Sequence, residues 1–124
     1  MKGILILIFI LNSALGIAQQ AEFKFKDKTQ RIGKVQEGEV VTMLFEFTNS
    51  GDVPLIINDF KVACTCTKVI LPEEPILPGE QGQIKVSFDS AGKIAYQDRT
   101  IELYSNSAKS PDKIRFTLSV INKE

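Results

Sequence analysis

From Phe23 to Val120 the apolar residues recur at every second position in one short run after another, and no segment carries a helical stripe. This constrains the fold more than any other feature. Period-two alternation puts every apolar side chain of a run on one face, and that face must be buried against something. The clearest run has Val41, Met43, Phe45 and Phe47 on one side and Thr42, Glu46 and Thr48 on the other. Phe23 and Phe25 form a first strand, and Ile32 and Val35 a short edge piece. Ile84, Val86 and Phe88 form a later strand, followed by Arg99, Ile101 and Leu103, then by Ile114, Phe116, Leu118 and Val120. Asn49-Ser50-Gly51-Asp52 turns the chain, through residues that tolerate positive φ or bond locally to the backbone. A strand is expected over Val53 to Ile57, and the phase break at Asn58-Asp59 reads as a bulge or a corner between sheets. After it, Phe60, Val62, Cys64 and Cys66 alternate, and Lys68 to Leu71 continues briefly.

About seven such strands predict an all-β fold, an immunoglobulin-like antiparallel β-sandwich. Pro72, Pro75 and Pro78 exclude a central strand there, and the segment reads as a crossover from one sheet to the other. Pro78-Gly79 is a turn signal, and Gly82 is a second point of backbone freedom.

Ahead of the alternating region stand a basic start at Lys2 and an unbroken apolar run from Ile4 to Leu11. That run is too short to span a bilayer, which takes about 20 apolar residues, and it fits the core of a secretory signal peptide. Gly16-Ile17-Ala18 supplies the small-x-small rule, so cleavage is expected between Ala18 and Gln19. The expected organisation is a signal peptide over 1–18 and a single sandwich domain over 19–124. No cysteine follows the apolar run to take a lipid, so no membrane anchor is expected after cleavage. The expected location is the periplasm, with release outside the cell as the alternative.

Beyond residue 18 there are fourteen Lys and Arg against fifteen Asp and Glu, which offers no electrostatic reason for a nucleic-acid partner. The chain has no histidine, which excludes Ser–His and Cys–His catalysis and histidine-bearing metal sites. Glu73-Glu74 and Asp89 read as solvated surface, because nothing pairs them with a second acid across a substrate. No enzyme and no cofactor are expected. Tyr96 and Tyr104 fall outside the apolar pattern and suit an interface better than a core.

Cys64 and Cys66 are the one chemically suggestive pair. In a strand they would share a face about 6.6 Å apart, too far for a disulfide, whose Cβ atoms lie near 3.8 Å. A local turn could join them, but Thr65 is β-branched and poorly suited to positive φ. Packing as two small hydrophobes is the favoured reading. An oxidised pair, or a soft-metal site for Cu(I) with Met43 as a third ligand, stays open beside it.

Four pieces in order, Phe45-Glu46-Phe47-Thr48-Asn49-Ser50-Gly51, Pro54-Leu55, Cys64-Thr65-Cys66-Thr67 and Ile76 to Phe88, resemble the bacterial domain-of-unknown-function 1573 family over about Val40 to Val120. The resemblance implies an exported immunoglobulin-like module related in architecture to pilus-chaperone and cilium-associated β-sandwiches, which mostly serve as binding scaffolds. It implies no known activity. Family members commonly carry Cys-Gly-Cys-Thr where this chain has Thr65, so the residue best suited to a tight turn is missing. The expected function is therefore a non-catalytic exported scaffold that contacts an envelope protein, with a metal or redox site at Cys64 and Cys66 as the alternative.

Overall fold

The computed structural model describes residues 19–122. Eight strands follow one another: β1 (Phe23–Phe25), β2 (Thr29–Gln36), β3 (Val40–Asn49), β4 (Ile57–Lys61), β5 (Thr67–Ile70), β6 (Gln81–Asp89), β7 (Ala95–Ser105) and β8 (Asp112–Ile121). They form two four-stranded sheets, ordered β1-β3-β6-β5 and β2-β8-β7-β4. This is the immunoglobulin arrangement, with the first strand split between the sheets: β1 runs antiparallel to β3, and β2 then runs parallel to β8. Every other pairing is antiparallel. The parallel pair departs from the all-antiparallel expectation, because alternation reports which face is buried but not which strand lies alongside.

The alternating residues meet between the sheets as predicted. Met43, Phe45, Phe47, Ile84, Val86 and Phe88 point inward from one sheet, and Ile101, Leu103, Ile114, Phe116 and Leu118 from the other. Phe88 and Phe116 cross the gap edge to face, with ring centroids 5.5 Å apart. The phase break is a bulge, since the register of β4 on β7 slips between Ile57 and Asp59.

Two expectations need correction. Val53 to Ile57 is not a strand: Leu55 is fully buried as a plug and makes only an isolated bridge to Ile76, and β4 begins at Ile57. The Pro-rich segment is not the crossover either, because β5 and β6 are antiparallel neighbours in one sheet. The prolines instead shape a long connection that folds back over the sandwich end, held by paired Leu55 and Ile76 backbone bonds of 2.8 and 2.9 Å. Within it, Leu77-Pro78-Gly79-Glu80 closes as a turn with Glu80 N–H on the Leu77 carbonyl, and Gly79 takes a φ of +82°. The chain changes sheets between β4 and β5, through the segment that carries both cysteines.

Asn49 ties that end together. Its buried side chain donates to the Val53 and Ile76 carbonyls at 2.8 and 2.9 Å and accepts from Gly51 N–H at 2.9 Å. Gly51 is required by close approach, not by φ. A Cβ there would fall 2.1 Å from the Gln20 carbonyl oxygen and 2.7 Å from Ala21 Cα.

Candidate functional site

Cys64 and Cys66 are joined in a disulfide, with Cα atoms 5.2 Å apart. The expectation of two packed free cysteines is thereby corrected. Its premise was an extended backbone, whereas Cys64 to Thr67 is a turn closed by Thr67 N–H donating to the Cys64 carbonyl at 3.2 Å. Thr65 does not adopt positive φ in this turn, so the missing glycine is not needed. The Cys66 N–H also donates to Cys64 Sγ at 3.2 Å. Both cysteines are partly exposed, and Cys66 packs against the core.

The disulfide lies in an open groove of about 310 Å³ whose other walls include Val40, Lys68, Ser87, Asp89 and Lys93. A soft metal would need thiolates, and the joined sulfurs offer none. Met43 is buried in the core on β3, and β6 lies between its strand and the one that follows Cys66. The third ligand is therefore not beside the pair. As a staple the bridge does little: closing so short a loop is worth only ~1.5 kcal/mol by chain entropy, against ~3 for a 15-residue loop.

The remaining sequence candidates disperse. Glu73 and Glu74 are exposed, and exposed Asp89 accepts from Ala91 N–H at 3.0 Å within its own turn. Tyr96 is 61% exposed, whereas Tyr104 is half-buried and donates to Glu102 at 2.9 Å, which raises its phenol above the ordinary range. Gln19 is exposed, and Ala18 and the apolar run before it lie outside the described residues.

A second feature was not legible in the sequence: among the described residues, one edge of β3 is left open. β1 pairs only with Phe47 to Asn49, while β6 pairs with β3 from Val40 to Thr48. After Phe25 the chain donates one last bond, Lys26 N–H to the Glu46 carbonyl at 3.0 Å, and then leaves to join the other sheet as β2. Backbone groups alternate sides along a strand. Val40, Thr42 and Leu44 thus present their amides and carbonyls to the side β1 has vacated, where, among the described residues, only the Gln30 side chain reaches in, to the Leu44 carbonyl at 2.6 Å. Lys26, Asp27, Thr29, Gln30, Arg31, Ile32, Leu44 and Glu46 line a groove of about 710 Å³ along this edge. No alternation pattern signals it, because it depends on where β1 stops.

Residues 23–120 match the family model described as protein of unknown function (DUF1573). The chain belongs to the DUF1573 family. Among solved structures, this DUF1573 chain is similar to a protein of unknown function from Porphyromonas gingivalis W83, with a TM-score of 0.68 and 19% identity over 87% of this chain and 50% of that one. It is similar to the ASH / PapD-like domain 7 of human CEP192, at TM-score 0.59 and 14% identity over 89% of this chain and 92% of that domain. It is also similar to the Vibrio cholerae VesB protease, at TM-score 0.59 and 16% identity over 90% of this chain and 33% of the protease. At these identities the likeness establishes the fold alone. The DUF1573 chain spans half the length of the Porphyromonas protein and a third of VesB. No curated protein matches its sequence.

Proposed function

We propose that this DUF1573 chain is an exported β-sandwich scaffold that binds another envelope protein by accepting an extended segment along the open edge of β3, a task that needs no catalysis. The observation that carries the reading is the mismatch between a ten-residue β3 and the three-residue β1 beside it. Val40 to Phe45 offer about 20 Å of unpaired edge, enough for a strand of ordinary length. Main-chain bonds to such an edge provide affinity, and alternate side chains provide specificity. The other edges are less suited to this use. β4 and β5 have only five and four residues. β2 is interrupted by a register slip between Arg31 and Gly33, a device that guards edges against pairing. Export is supported by the leader-like residues before Gln19, and the scaffold reading by the absence of histidine chemistry from the whole sequence.

Photo-crosslinking in the native envelope tests this. A photoreactive side chain at exposed Leu44 should yield a discrete protein adduct, whereas one at exposed Lys113, on the other sheet, should not. Thr42→Pro removes an edge amide that no strand uses, so it should keep the fold while abolishing capture. Capture that survives Thr42→Pro in a folded protein contradicts the edge. Absence of any specific adduct contradicts the scaffold.

A further inference from the structure

The disulfide is out of proportion to any structural task. It joins residues two apart, in a turn that the Thr67 N–H to Cys64 carbonyl bond already closes. It is partly exposed, whereas bridges that only brace a core are inert because they are buried. Its two sulfurs differ: Cys66 packs on the core, while Cys64 Sγ receives the Cys66 N–H at 3.2 Å. Lys68 and Lys93 line the same groove against the single carboxylate of Asp89, which leaves the surroundings electropositive. Backbone donation and nearby cations are the two influences that favour a thiolate over a thiol.

We infer that Cys64–Cys66 is a thiol–disulfide exchange site, with Cys64 as the sulfur that forms the mixed disulfide and Cys66 as the resolving one. A substrate thiolate attacks Cys64 Sγ; the bond to Cys66 breaks and Cys66 departs as a thiolate. A second substrate thiolate then attacks the substrate sulfur of the mixed disulfide and releases Cys64. Two substrate thiols become one disulfide, two electrons enter the protein pair, and the two protons end on Cys64 and Cys66 or in solvent. In the reverse direction the Cys64 thiolate attacks a substrate disulfide, and Cys66 displaces the product. The groove admits a small thiol or a cysteine side chain of an extended peptide. This inference is independent of the β3 edge, and either can fail without the other.

Glutathione is the probe. The oxidised wild-type protein, held under native conditions with millimolar reduced glutathione, should lose its disulfide while its circular dichroism is unchanged. Cys66→Ser exposed to oxidised glutathione should accumulate one glutathione, on Cys64, about tenfold faster than Cys64→Ser does on Cys66. Lys93→Glu should slow the anionic probe several-fold. A disulfide that survives glutathione in the folded protein overturns the inference, and so do equal rates at the two cysteines. If a cysteine variant does not fold, acid-quenched peptide mapping of the wild-type reaction reads the same assignment: glutathione on Cys66 rather than Cys64 contradicts it.

Discussion

Gly51 shows how much a single residue can be set by its surroundings. Its turn was readable from Asn49-Ser50-Gly51-Asp52, and the local bond from Gly51 N–H to the Asn49 side chain agrees with that reading. The reason for glycine was not readable, because φ there is not positive and the crowding comes from Gln20 and Ala21, some thirty residues away. Gly51→Ala should therefore cost about 2 kcal/mol or more by urea titration, since backbone and not a flexible side chain must move. Asp112 is a second such case. It is buried, its Oδ1 has no hydrogen-bond partner among the described residues, and burial raises its carboxyl above the ordinary range against the opposing pull of Ser107, Lys28 and Lys109. A carboxyl held above its unfolded value binds its proton more tightly when folded, so stability falls as pH rises from about 4 through the folded value. Asp112→Asn should then raise the urea midpoint at pH 7 relative to wild type, and the advantage should shrink toward pH 3. Asp98 is the opposite case. The hydrogen bonds from Arg115 lower its carboxyl, so its contribution is present above the unfolded value and lost in acid. The cysteine turn was misread for a related reason: sequence spacing assumed an extended backbone, while hydrogen bonds bend it without positive φ.

At the scale of elements, alternation located the strands because burial of one face is what a sandwich imposes on each of them. It failed at Val53 to Ile57, where Pro54 and the plug residue Leu55 imitate alternation although Leu55 belongs to no strand. It also misplaced the sheet change. Proline excludes a central strand, but it does not say whether the connection crosses the sandwich or, as here, folds back to the neighbouring strand. The start of β7 carries a local cost that alternation does not show: Ala95 sits at a φ of +59°, a conformation that glycine adopts without steric penalty. Ala95→Gly should stabilise the protein by ~0.5 to 1 kcal/mol in thermal unfolding, in contrast to the usual loss for glycine within a strand. A loss of stability would mean that the strand geometry at Ala95 is relaxed.

At the scale of the whole molecule, the two sheets share one core, and the first strand divides between them. That division closes the sandwich on one side and leaves the outer edge of the first half of β3 without a partner strand among the described residues. The fold class was legible from the sequence because it follows from periodicity. The open edge was not, because it depends on pairing between β1 and β3 and on the point where β1 departs. The proposed function rests on this edge, and the likeness to other β-sandwiches, which establishes the fold alone, does not select it. Residue-resolved amide exchange on the free protein and on its complex with a captured partner tests the account most directly. Thr42 and Leu44 amides should exchange rapidly in the free protein beside protected Met43 and Phe45, and should slow on binding. Equal protection of all four in the free protein, or unchanged exchange at Thr42 and Leu44 in the complex, would contradict it.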